Sequence, residues 1–235
     1  MSIIKCIRVF RSKIENVSGN SLPEDFVNKQ LDCTLKRITM KLRENGFTLG
    51  DFDHLYINLS ICPMSEQMTL SKRGKDEYHP WYRYYDVEID QDLYDALETE
   101  ESVPSVVEIV DKVLQQFFSN LGISSELIHS FVTEAVSQGE KMEMLFKSKT
   151  TTNRKALVFL RFLNTAQYYP LLRVYDSDGA LLFEKDLPKT NELNAYGEIL
   201  LNKKSVTIKP RKNSFTKHIH SMTFVFEPNG KALAR

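Results

Sequence analysis

Glycine is scarce in this chain: nine residues in 235, roughly half the ~7% of an average protein. No two glycines stand two positions apart, the closest pair being Gly46 and Gly50. A Rossmann loop, whose backbone must approach a pyrophosphate, needs that spacing and is excluded. A P-loop is excluded as well, because Gly74-Lys75 and Gly230-Lys231 have Thr69 and Val225 where the first glycine belongs. Cysteine is equally sparse. Cys6, Cys33 and Cys62 are odd in number and form no Cys-x-x-Cys pair, which argues against a disulfide framework or a zinc ribbon. Each sits in an apolar pattern and reads as a buried free thiol, as suits a reducing cytoplasm.

Other catalytic signatures are missing too. No Gly-x-Ser-x-Gly elbow occurs, and none of the five histidines has the Glu and second His of a zinc protease helix. No Asp or Glu is followed two residues later by Lys, a pairing many metal-dependent nucleases use. Long apolar runs are absent. The stretch Met1–Phe10 is broken by Lys5 and Arg8, whereas a signal peptide needs ~7–15 apolar residues and a membrane span ~18 or more. The expectation is a cytoplasmic protein with no membrane segment, no cofactor, no metal centre and no recognisable catalytic residues. The triplets Asn16-Val-Ser18 and Asn58-Leu-Ser60 then match the glycosylation signal by chance.

What remains is an ordinary globular composition, 42% hydrophobic and 26% charged. Residues 3–10 read as a strand. Ser21-Leu-Pro-Glu24 reads as a capping box opening a helix that carries Val27, Leu31, Leu35, Ile38 and Leu42 and stops at Gly46. Leu55, Ile57, Leu59 and Ile61 alternate with Tyr56, Asn58 and Ser60 as in a half-buried strand, and Tyr82 to Ile89 reads as another. Asp90 can cap a turn around Leu93–Leu97. Two further helices follow, one from Ser102 or Ser105 to Gly122 and one from Ser124 or Ser125 to Gly139. The second is expected to carry Leu127, Ile128, Phe131, Ala135 and Val136 inward.

Beyond residue 140 the apolar runs become short and β-rich: 142–147, 156–163, 171–176, 180–185, 197–202, 204–209 and 218–226. Turns fall at Asp176-Ser-Asp-Gly179 and Asn202-Lys-Lys204. Connections this short predict antiparallel pairing. The fold class is therefore α+β: antiparallel sheets, about three helices in an N-terminal part (1–140) and a β-meander in a C-terminal part (141–235). The two parts are separate domains or one continuous domain.

Three constellations carry chemistry. His218-Ile-His220 places two imidazoles on one face of an expected strand, but Glu227 is the only acid in the last 37 residues, so no third metal ligand is at hand. Tyr78-His-Pro-Trp-Tyr-Arg-Tyr-Tyr85 holds the only Trp and four of ten Tyr. On a strand, Tyr82 and Tyr84 face one way, Arg83 and Tyr85 the other. Such rings pack cores or anchor interfaces, and with Lys72, Arg73 and Lys75 upstream they could also stack nucleobases. Charge is the third. Ten acids and no Lys or Arg lie between Asp86 and Asp111, while residues 199–235 hold eight bases and one acid, so the net charge of zero is a cancellation. The two segments pair with each other, or each meets a partner.

The first expectation for function is a non-catalytic protein-binding module. Its aromatic and acidic face, formed by Trp81, Tyr82, Tyr84, Asp86, Glu88, Asp90, Asp92 and Asp95, would mask a basic protein. Bacterial immunity proteins, which cover the basic active surface of a toxin or nuclease, are the type this suggests. One alternative is an enzyme with an irregular site built from His79, His218 or His220 and acids of 86–95. The other is a nucleic-acid binder using Lys203, Lys204, Lys209, Arg211, Lys212 and Lys217, which the acidic half disfavours.

Overall fold

A computed structural model describes residues 2–13, 23–72, 80–119 and 122–226. The chain divides into two compact units, Met1–Gly139 and Glu140–Arg235, and each of its three sheets draws its strands from one unit. The class is α+β, with four α-helices among the described residues of the first unit and a β-meander in the second.

The first unit runs β1 (Cys6–Ser12), α1 (Lys29–Glu44), β2 (His54–Ser60), β3 (Met68–Leu70), β4 (Tyr82–Glu88), α2 (Gln91–Ala96), α3 (Val103–Phe118) and α4 (Ser125–Gln138). Helix α1 buries Leu31, Leu35, Ile38 and Leu42 as their spacing predicts, and Gly46, at φ +70°, follows its end. Its start differs from the capping-box reading. Ser21 and Leu22 lie outside the described residues, Glu24 pairs with Arg11 in an isolated bridge, and Val27 is 80% exposed. Asn28 is the N-cap instead. Its Oδ1 accepts from the Leu31 N–H at 3.0 Å, and its Nδ2 donates to the carbonyls of Leu97 (2.9 Å) and Thr99 (2.7 Å). One buried side chain thus opens α1 and anchors the turn after α2.

Helix α1 is long enough to be a crossover, and β1 pairs with β2 in parallel. Strand β4 is parallel to β2 on its other side, and the short β3 runs antiparallel to β4, giving the order β1-β2-β4-β3. Leu55, Ile57, Leu59, Tyr85 and Val87 fill one face, where the Tyr85 ring meets Phe117 and Phe118 of α3 at 4.7 and 5.5 Å. Asp90 caps α2 through the Leu93 N–H at 2.7 Å, and Ser124 caps α4 through the Leu127 N–H. Ser102 precedes α3 without a side-chain capping bond. In α4 the buried stripe is Ile128, Val132 and Ala135, while Leu127 and Val136 are exposed. The inward arc is narrower than the apolar residues alone suggested.

The second unit contains β5 (Met144–Thr151), β6 (Arg154–Phe162), β7 (Tyr168–Asp176), β8 (Leu181–Asp186), β9 (Glu198–Leu201), β10 (Ser205–Lys209) and β11 (Met222–Val225). Strands β5 to β8 form one antiparallel meander and β9 to β11 another. Val158, Leu172, Val174 and Phe183 of the first sheet share a core with Ile199, Leu201, Val206 and Ile208 of the second. Each such side chain contributes about 1.5–3 kcal/mol when fully buried. The Asp176 turn closes as expected: Oδ1 accepts from the N–H groups of Asp178 and Ala180, and Gly179 takes φ +85°. Tyr196, buried in a 3₁₀ turn (Leu193–Tyr196), donates to the Pro188 carbonyl, and burial pushes its phenol up to about 12.

Candidate functional site

In parallel strands held in register, paired residues lie side by side on one face. Four rows therefore cross β1, β2 and β4: Cys6–His54–Tyr82, Arg8–Tyr56–Tyr84, Phe10–Asn58–Asp86 and Ser12–Ser60–Glu88. This is the face opposite the Leu55, Ile57 and Leu59 core. It carries a continuous aromatic cluster. The rings of Tyr56 and Tyr82 stack at 5.0 Å with 17° between planes. Tyr84 lies 5.2 Å from Tyr56 and 5.5 Å from Tyr82, and Phe10 lies 5.2 Å from Tyr56 and 5.5 Å from Tyr84. The Arg8 guanidinium sits 5.4 Å over the Phe10 ring, so the face already holds a planar cation against an aromatic. Burial, aided by Cys6, pushes the Tyr56 phenol up, although neighbouring Arg8 pulls it down.

Next to the rings the chemistry turns acidic. Asp86 accepts from Asn58 Nδ2 at 2.8 Å, and Glu88 accepts from the Met64 N–H at 2.9 Å. Asn58 is 2% exposed, and its Oδ1 has no hydrogen-bond partner among the described residues. A cleft of about 500 Å³ opens at the end of β4, with Met68, Val87 and Leu93 as apolar lining beside Glu88, Asp90 and Lys112.

Of the residues expected at the face, Tyr82, Tyr84, Asp86 and Glu88 share it. Asp90 does not continue it: the strand ends at Glu88, and Asp90 caps α2, which carries Asp92 and Asp95 exposed. Asp95 accepts from Gln91 at 2.8 Å. Trp81 is 42% exposed just before β4, and its carbonyl accepts from the N–H groups of Asp53 and His54. Tyr78, His79, Arg73 and Lys75 lie outside the described residues. Three of the other acids find partners within their own unit: Glu98 with Arg11 at 2.9 Å, Glu108 with Lys112 at 2.7 Å, and Asp111 with His129 at 2.6 Å.

Sequence reasoning missed Arg8, Phe10, His54 and Tyr56 as members of the face. The available signal was the alternation of β2, which already turned Tyr56, Asn58 and Ser60 away from the core. It also missed Asp53, which receives Lys5 Nζ at 2.6 Å and meets His54 Nδ1 at 2.5 Å. Burial works against the Asp53 charge, but the hydrogen bonds from Lys5 and His54 outweigh it and hold the carboxyl below its ordinary range.

The other two constellations look different once folded. His218 and His220 do not lie on a strand: residues 214–218 form a turn, β11 starts at Met222, and both imidazoles are exposed. The alternation that would have aimed them together is therefore lost. Glu227 lies outside the described residues, and among the described residues no group of three or more His, Cys, Asp or Glu could hold a metal ion. His218 and His220 belong to the second unit, the acids 86–95 to the first. Cys33 is buried, while Cys6 and Cys62 are half-buried, and all three are free thiols. Among the described residues no helix is long and apolar enough to cross a membrane.

Compared with protein-family models, with curated proteins and with solved structures, the chain matches none.

Proposed function

We propose that the chain is a non-catalytic protein-binding module of the cytosol, of the immunity type, whose aromatic and acidic sheet face masks a basic partner such as a toxin. The observation that carries this reading is the row structure of the first sheet. Tyr82, Tyr84, Asp86 and Glu88 stand half-buried on one face together with Tyr56 and the buried Phe10. Stacked aromatics supply contact area at little entropic cost, and neighbouring carboxylates steer a cationic surface into register. The cleft beside Glu88 and Asp90 has the apolar lining and charged rim that suit an inserted basic side chain.

The test is affinity capture from the native cells with the wild-type chain and with the double variant Asp86→Lys, Glu88→Lys. A basic protein retained by the first, released by salt and lost with the second supports masking. Its association rate at low salt should fall about 10- to 100-fold in the variant. Equal retention by both proteins, or retention of acidic proteins only, sinks the idea.

A further inference from the structure

The second unit carries a surface of a different kind. From Ile199 to Phe226 the sequence contains no Asp or Glu, and Lys203, Lys204, Lys209, Arg211, Lys212 and Lys217 are all exposed. Among the described residues none of these six cations is in an ion pair. Between β10 and β11 the chain makes a turn at whose crest Phe215 stands 71% exposed. Large apolar side chains are common on surfaces, but this one is set on a braced support. Asn213 Oδ1 accepts from the N–H groups of Phe215 and Thr216, both at 2.9 Å. The fully buried Thr216 donates to the Arg211 carbonyl, and its own carbonyl accepts from the Ile219 N–H at 2.9 Å.

The foot of the turn is fixed as firmly. The Arg211 N–H bonds the Asn194 carbonyl at 2.8 Å, and Gly197 lies so close that a Cβ there would stand 2.2 Å from the Arg211 nitrogen. Lys147 donates to the Gly197 carbonyl at the same corner. Burial and the neighbouring Arg211 charge hold the Lys147 ammonium below its ordinary range.

We propose that this turn is a docking surface for single-stranded nucleic acid, with Phe215 stacking on a base while Arg211, Lys212 and Lys217 meet the flanking phosphates. The proposal stands apart from the sheet face of the first unit. An unpaired strand offers both things the turn asks for: a π-face for a ring and closely spaced anions on either side of it. A duplex keeps its bases stacked and offers only the anions. A lipid surface would reward a larger apolar area than one ring between Ser214 and Thr216 supplies. The pre-set backbone of residues 213–216 means that little ordering remains to be done on binding.

The experiment uses the full chain and a labelled oligothymidylate of roughly 15 nucleotides, followed by fluorescence anisotropy. Three phosphate contacts give an expected slope of about −2 for log affinity against log salt. Phe215→Ala should weaken binding roughly 5- to 150-fold, and Phe215→Trp should retain it. Lys212→Glu with Lys217→Glu should weaken binding and flatten the slope. Unchanged far-UV circular dichroism certifies that each variant is folded, as expected for side chains exposed to solvent. The proposal is overturned if Phe215→Ala binds like wild type, if a duplex of equal length binds as tightly, or if poly-L-glutamate competes as well as unlabelled oligonucleotide. It is overturned equally if the oligonucleotide does not bind at low salt, whether or not phosphatidylserine-rich vesicles capture the protein through Phe215.

Discussion

Replacing Asn28 should separate two jobs that one side chain performs. Its oxygen caps α1, and its nitrogen ties that helix end to the carbonyls of Leu97 and Thr99. Loss of an N-cap costs about 1 kcal/mol. Each bond from Nδ2 adds about 1 kcal/mol and not the full penalty of an orphaned carbonyl, because the single Ser102 hydroxyl proton is within reach of either oxygen, at 3.3 and 3.0 Å. Asn28→Ala should therefore destabilise the first unit by about 3 kcal/mol, and Asn28→Ser, which keeps a capping oxygen, by about 2 kcal/mol. Asn28→Asp is the sharper probe. It keeps the cap and places a charge where the helix dipole favours it, yet turns an oxygen toward two carbonyl oxygens. At neutral pH it should cost as much as Asn28→Ala. The introduced carboxyl, raised in the folded state, is charged in both states only above that raised pKa. Its penalty is thus full there and fades as pH falls toward the unfolded value of about 3.9. Urea unfolding followed at 222 nm reports on this unit, which holds the four α-helices of the described residues. A cost below about 1 kcal/mol for Asn28→Ala, or Asn28→Asp as stable as wild type at neutral pH, would show that the tie to Leu97 and Thr99 carries nothing.

Gly197→Ala should destabilise the second unit by about 2–4 kcal/mol, since overpacking against the Arg211 backbone costs ~1–3 and the bond from Arg211 to Asn194 is lost with it. Hydrogen exchange on peptides covering β9, β10 and the turn should rise, and unchanged protection would refute the close approach. For Asp53, whose carboxyl is held down in the folded state, the stabilising contribution is full above about 3.9 and is lost as pH falls through the depressed value. The gap in thermal midpoint between wild type and Asp53→Asn should accordingly stay constant from neutral pH to about 5 and close in more acid solution.

Local grammar was legible wherever a single element decides the outcome. The stop at Gly46, the Asp90 cap and the Asp176 turn need only their own neighbours, and the strands of the second unit follow from short β-rich runs joined by turns. Parallel pairing in the first unit is different in kind. Nothing in Cys6–Ser12 or His54–Ser60 taken separately sets which strand lies beside which. The pairing depends on α1 crossing back over the sheet, and with it the assembly of Phe10, Tyr56 and Tyr84. Asn28 was overlooked for a related reason, since a capping box four residues long matches the local rule while the winning cap draws on bonds to residues beyond β4. The histidine pair failed because Thr216 and Asn213 convert the start of an expected strand into a turn.

The parallel seam between β1 and β2 also constrains how the chain can be assembled. A hairpin can zip as soon as both arms exist, whereas β1 has no partner until α1 has been made and folded back and β2 has followed it. During synthesis β1 therefore waits with the backbone donors and acceptors that face β2 open, and the loop closed in joining it is long. The second unit, made of neighbouring antiparallel strands, has no such wait. The first unit should be the slower of the two to form and the one more exposed to mispairing while it does, so a chaperone or a bound partner would act first on β1.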